Sequence, residues 1–242
     1  MDNPLHHFEL HPLIHISLMG IDISINKAII AMWVGLVGVF FMFFLVVRGG
    51  LKVIPGKMQN LAEMSVLFLR DMVKEYIGKE GFKYFPFVAT LFFFIFSCNL
   101  IGLIPGSYAI TSQIAMTGAF AVVIFMMTIV IGFLHHGAHY ISVLVPPGVP
   151  GILIPFMIPI EVISLLARPI TLALRLFANM LAGHALMTVL FTLAMTGGVV
   201  IGWLPFGFTV LINGLEIFIC FIQAYIFALL TCVYIGDAIK LH

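Results

Sequence analysis

The sequence predicts an all-α integral membrane protein: about five membrane-crossing helices plus an amphipathic surface helix. Two observations carry this. The 242 residues are 62% hydrophobic and only 9% charged, with a mean hydropathy of +1.21, whereas an average soluble domain is about 45–50% apolar and about 25% charged. The apolar residues also gather into runs of spanning length. One helical crossing takes about 20 of them, which leaves room for five or six. A soluble globular enzyme, a disordered tail and a nucleic-acid binder are excluded, because a net charge of +1 leaves too few Lys and Arg to neutralise phosphates. No internal repeat divides the chain, and residues 1–242 read as one membrane domain.

Residues 1–27 are mixed, with Asp2, Glu9, Asp22 and four histidines. No basic residue precedes Lys27, so no secretory signal peptide is expected. The first crossing is Ala28–Val47, bounded by Lys27 and Arg48. Residues 48–83 hold seven of the eleven Lys and Arg, with four acids. Within them Leu61, Met64, Val66, Leu67, Leu69, Met72, Val73, Tyr76 and Ile77 recur at helical spacing, which predicts an amphipathic helix near the membrane surface. The second crossing is about Phe85–Ile104, closed by Pro105-Gly106, and the third is about Ala115–Leu134. A His/Gly/Pro-rich loop, 135–151, follows. Two long apolar stretches, Ile154–Thr196 and Pro205–Ile235, then form a hairpin over 154–236.

The Lys/Arg bias sets the expected orientation. The basic segment 48–83 is expected to be cytoplasmic. That places the N-terminus and loop 105–114 outside, loop 135–151 inside, the turn near 197–204 outside and the C-terminus inside. The stretch 154–196 breaks the simple pattern. Its 43 residues would make roughly 64 Å of helix at about 1.5 Å per residue, against a hydrocarbon core of about 30 Å. Either it breaks, at Arg168-Pro169, or it lies strongly tilted and needs another membrane protein to cover it.

The hairpin also carries Glu161, Arg168, Arg175, His184 and Glu216. A charge at the centre of a spanning helix costs at least about 2.5–3.5 kcal/mol, so such residues are functional candidates; the plainer reading is ion pairing that locks helices together. Glu161, Arg168 and Arg175 are spaced by seven, with Ser164, Thr171 and Asn179 close to the same line, so one helix face is polar. On the last helix Asn213, Glu216 and Gln223 make a second stripe, extended by Tyr234. For an antiparallel turn centred near 200, facing residue numbers sum to about 400. His184 then faces Glu216, Arg175 faces Gln223 to Tyr225, and Glu161 lies far from the turn. The layout is a proton relay interrupted by a fixed cation: His and Glu exchange protons near neutral pH when burial shifts them, whereas Arg does not deprotonate.

The run Arg168-Pro169-Ile170-Thr171-Leu172-Ala173-Leu174-Arg175-Leu176-Phe177-Ala178-Asn179-Met180-Leu181-Ala182-Gly183-His184 resembles the signature of the a subunit of the F-type ATP synthase. The stretch Leu215-Glu216 to Phe227 resembles that family's last helix, and Asn99 to Gly106 its second span. The resemblance implies the stator half of a rotary proton channel, beside a c-ring of hairpin subunits that each carry one buried carboxylate. It implies that Arg175 is the essential arginine facing the ring, with Asn179 one turn away and Gln223 near it. His184 and Glu216 match the external half-channel, where relatives place Glu and His in either order, and Glu161 matches the acid toward the cytoplasmic half-channel. Some relatives carry an acid where Gly102 stands. Peripheral-stalk b subunits, an F1 sector reached indirectly and membrane lipid are the other implied partners. A bacterial plasma (inner) membrane is the expected location.

Other features take plainer readings. Cys98, Cys220 and Cys232 form neither a disulfide framework nor a zinc pattern and read as buried small residues. His135, His136 and His139, like His7, His11 and His15, read as surface-loop residues. No metal or cofactor is expected, and no phosphate-binding loop is present, so the chain by itself is not expected to catalyse ATP chemistry. Arg168 is expected to snorkel toward the cytoplasmic surface. The alternatives are a stand-alone proton-coupled secondary transporter, which should show repeated halves and a substrate pocket, and a structural membrane anchor, against which the five ionisable residues argue.

Overall fold

A computed structural model of the chain describes residues 12–14, 17–18, 21–22, 25–50, 52–104, 110–144, 153–196 and 202–240. The Pro105-Gly106 stop, most of the turn near 197–204, the last residues of loop 135–151 and the histidines at 6, 7, 11 and 15 lie outside the described residues. From Lys27 onward the structure is helical: α1 (Lys27–Arg48), α2 (Lys57–Tyr76), α3 (Phe85–Gly102), α4 (Ile114–His136), α5 (Ile154–Thr196) and α6 (Trp203–Ile239), with short 3-10 helices at Lys79–Lys83, Ile110–Ser112 and Gly137–Leu144. Five helices, all but α2, are long and apolar enough to cross a membrane. The sequence reading did not anticipate four very short strands before α1. They pair as two antiparallel ladders, Pro12 with Asn26 and Ile14 with Ile25, then Ser17 with Asp22 and Leu18 with Ile21.

Local chemistry explains the helix ends. Arg48 lies in the last turn of α1 and complements the negative end of the helix dipole. Gly78, at φ 93°, separates α2 from the following 3-10 helix in a conformation open to glycine. Pro86 sits in the first turn of α3, where no amide donor is needed.

Of the two alternatives for 154–196, the break is not taken. All 43 residues form one helix through Pro159 and Pro169. A proline removes one backbone donor and crowds the preceding turn, but spanning helices accommodate this when hydroxyls supply donors nearby. At Pro169 the carbonyl left without its helical donor is that of Leu165, whereas the Thr171 hydroxyl back-bonds to the carbonyl oxygens of Ala167 and Arg168, at 2.8 and 3.0 Å. The same device recurs down the helix, where Thr188, Thr192 and Thr196 each donate to the carbonyl four residues earlier at 2.8 Å.

The chain divides into two compact units, and α3, α4, α5 and α6 each contribute to both. The first comprises Met1–Gly49, Phe93–Met116 and Leu176–Ala224. In it Gly35 of α1 lets that helix approach Cys98 and Ile101 of α3. Phe43 meets Phe93 edge-on at 4.9 Å, and Phe96 meets Phe221 edge-on at 6.0 Å. Its core contains Ile95, Cys98, Ile110, Leu176, Met180 and Cys220. A buried polar link closes the end of α3: the Thr111 hydroxyl donates to Asn99 Oδ1 at 2.9 Å.

The second unit comprises Gly50–Phe92, Thr117–Arg175 and Tyr225–His242. The apolar positions of α2 divide between two faces rather than one: Ala62, Leu69, Met72 and Val73 are buried, whereas Met58, Leu61, Met64 and Leu67 are exposed. The buried face joins a core that includes Val88, Ile124, Leu172, Phe227, Cys232 and Ile235. Gly236 of α6 sits so close to the end of α2 that a Cβ there would lie 2.8 Å from the Tyr76 carbonyl oxygen. His136 Nε2 donates to the Ile239 carbonyl oxygen at 3.0 Å, tying the ends of α4 and α6 together. His135 reaches toward Glu80 at 4.0 Å. His135 and His136 thus belong to the last turn of α4, and 137–144 form a 3-10 helix, rather than the loop the sequence suggests. Among the described residues, no three His, Cys, Asp or Glu side chains gather to hold a metal.

Candidate functional site

The first unit carries Asn179, His184, Glu216 and Gln223. The antiparallel packing of α5 on α6 follows the expected register within one residue: Gly183, and not His184, lies directly under the Glu216 carboxylate. A side chain there would have to displace the carboxylate, because an ideal Cβ at position 183 would stand 2.9 Å from Glu216 Cδ and closer still to its oxygen. Glu216 is only 8% exposed. It opens instead onto a cavity of about 190 Å³, lined also by Asn179, Leu186, Ile212 and Cys220. A single water needs about 10–15 Å³ of such room, so the cavity has space for water beside a carboxylate that would otherwise be a costly bare charge. His184 is half-buried on the next position of α5, and Gln223 is half-buried on α6. The structure therefore brings Asn179 and Glu216 onto one cavity.

The second unit carries Glu161, Arg168 and Arg175. Two arginines seven residues apart on one helix have different surroundings. Arg168 Nη1 lies 3.4 Å from Asp237 Oδ2, and its guanidinium sits over the Tyr234 ring at 5.3 Å. Arg175 is exposed, beside exposed Thr171, Leu174 and Ala178, and no carboxylate among the described residues pairs with it. Glu161 is half-buried, with exposed Ser164 one turn further on. Within the two units the described contacts do not join Glu161 to another ionisable group.

Two participants escaped the sequence reading. Asp237 continues the seven-residue spacing of Glu216 and Gln223 on the last helix, and that periodicity is the signal that points to it. Gly183 is, from the sequence, one of several glycines suited to close helix contact, and nothing in its type marks it as the seat of the carboxylate. The three cysteines are buried, as expected.

Residues 29–236 match the ATP synthase A chain family. The ATP synthase subunit a of Magnetococcus marinus is 45% identical over 246 aligned positions, covering 99% of this chain and 94% of that protein. The subunit a of Rhodospirillum rubrum is 43% identical over the full length of both, and that of Pelagibacter ubique is 41% identical over 99% of this chain and 98% of its own. With its five helices able to span a membrane, the chain belongs to the ATP synthase A chain family, as a multi-pass membrane subunit of an F-type ATP synthase.

Proposed function

We propose that this chain forms the two offset half-channels through which protons reach and leave the carboxylates of a rotating c-ring, with Arg175 separating the two paths. One observation carries the reading: Arg175 stands exposed on an apolar helix without a carboxylate partner among the described residues. A bare charge there costs at least about 2.5–3.5 kcal/mol. An acid supplied by another subunit removes that cost, and a ring of hairpin subunits with one buried carboxylate each supplies it. The long, tilted hairpin 154–236 then lies along the ring.

Protons arrive from outside by way of His184 and the water-sized cavity at Glu216, and neutralise a ring carboxylate. The neutral acid turns through lipid at little cost, which its ionised form does not. After nearly a full turn its proton leaves on the cytoplasmic side near Glu161. The ionised carboxylate is then drawn to Arg175. Because the guanidinium does not release its proton, it also blocks leakage from one half-channel to the other. Asn179 and Gln223 line the same faces as polar neighbours. Each proton crossing yields about 2.3 kcal/mol per 100 mV, so each ATP draws on several. Nucleotide chemistry belongs to the F1 sector, held through peripheral-stalk b subunits. The basic segment 48–83 and the C-terminus face the cytoplasm, and segment 1–27 faces outward, in a bacterial inner membrane.

Arg175→Ala in the intact complex tests this. In inverted vesicles, with assembly checked on the same membranes, proton-driven ATP synthesis should fall at least about a hundredfold. Synthesis at the parental rate would make Arg175 a structural residue only.

A further inference from the structure

We propose that the cavity beneath the Arg168–Asp237 pair binds one acyl chain of a zwitterionic phospholipid, with the lipid phosphate on Arg168 and its primary ammonium on Asp237. The site lies within the second unit and uses none of Arg175, His184 or Glu216. Its volume is about 70 Å³, several times what one water needs. Its walls are apolar: Ala121 and Ile124 on α4, Leu165 and Leu172 on α5, Ala238 on α6. Apolar walls of this kind favour hydrocarbon where lipid surrounds them. From Ala121 to Thr128 the lining follows α4 for seven residues, two turns or about 10 Å. A run of that length can lie along several methylenes of an acyl chain.

The charged groups of the lining are Arg168 and Asp237. Arg168 and Asp237 remain 38% and 52% exposed in their side chains, at 3.4 Å from each other. This is longer than the roughly 2.7–2.9 Å of a saturated charge-assisted bond. One of the five guanidinium donors is engaged, and one oxygen of Asp237. The Tyr234 ring, 5.3 Å beneath the guanidinium, holds it at the mouth by cation–π attraction, and Tyr140 lines the same wall. Tyr140 is itself seated on Gly132, where a Cβ would lie 2.6 Å from its Cδ2. An anionic headgroup would gain Arg168 but meet Asp237. A headgroup with a phosphate and an ammonium matches both charges.

The experiment uses the intact synthase complex, reconstituted in phosphatidylcholine vesicles with a trace of phosphatidylethanolamine carrying a diazirine in its acyl chain. After illumination, labelled residues on α4 are identified by mass spectrometry. Labelling should concentrate on the cavity positions Ala121, Ile124 and Thr128 over the exposed positions Val122, Val123 and Met126. Unlabelled phosphatidylethanolamine should compete at least about fivefold better than phosphatidylglycerol, and Asp237→Asn should erase that preference. Filling the slot with Ala121→Phe should cut cavity labelling at least about fivefold. Even labelling of both faces of α4 would overturn the proposal, as would equal competition by the two lipids. Both readouts use the unaltered complex, so they stand even if a variant fails to assemble.

Discussion

The Glu216 carboxylate on α6 occupies the space that a side chain at position 183 of α5 would need. Gly183 thus fixes how deeply the carboxylate enters the interface, and hence how it meets the cavity of about 190 Å³ beside it. Adding one methyl group should move it. Overpacking of this kind costs about 1–3 kcal/mol, and the carboxylate is the mobile partner. Gly183→Ala should slow passive proton conduction through the membrane sector about tenfold or more, with assembly intact. Conduction at the parental rate in stripped vesicles would refute a positioning role for Gly183.

If Glu216 relays protons, charge matters more than shape. Glu216→Gln keeps the volume and loses the exchangeable carboxyl proton. Proton uptake should drop by about 10²–10⁴, the usual worth of a positioned acid or base, while the complex still assembles. His184→Ala should slow uptake less, because the cavity gives water access to Glu216 without it. Normal ATP-driven pumping in both variants would sink the assignment of this pair.

Gly236 makes a purely structural prediction. A Cβ there would lie 2.8 Å from the Tyr76 carbonyl oxygen, and a backbone atom yields less readily than a side chain. Gly236→Val should loosen the end of α2 and destabilise the second unit by about 1–3 kcal/mol. Limited proteolysis between α2 and α3 in detergent-solubilised complex measures it; cleavage as slow as in the parent would be contrary evidence.

Thr111→Val tests the buried link at the end of α3. It preserves shape but removes the donor to Asn99 Oδ1, and both residues are essentially inaccessible. An unsatisfied buried acceptor costs about 1–3 kcal/mol. Thermal inactivation of the complex should shift to lower temperature, and Asn99→Leu in addition should restore part of the loss. A double variant no better than the single one would argue against the bond.

Composition and run length alone determined that the chain crosses a membrane and how many helices can do so, because hydrocarbon admits only long apolar stretches with their backbone bonds satisfied internally. Periodicity alone placed Glu161, Arg168 and Arg175 on one face of one helix, since 3.6 residues per turn returns every seventh residue to nearly the same side. Tertiary structure decided what the sequence left open. Pro169 is carried through α5 unbroken. The apolar positions of α2 serve two faces rather than one. Arg168 is paired by Asp237 while Arg175 is left exposed, although both are arginines on an apolar helix. Which charge finds a partner depends on what the neighbouring helix presents at that level, and a one-residue change in antiparallel register selects Gly183 over His184 beneath Glu216. Such contacts join residues far apart in sequence, and no local pattern encodes them.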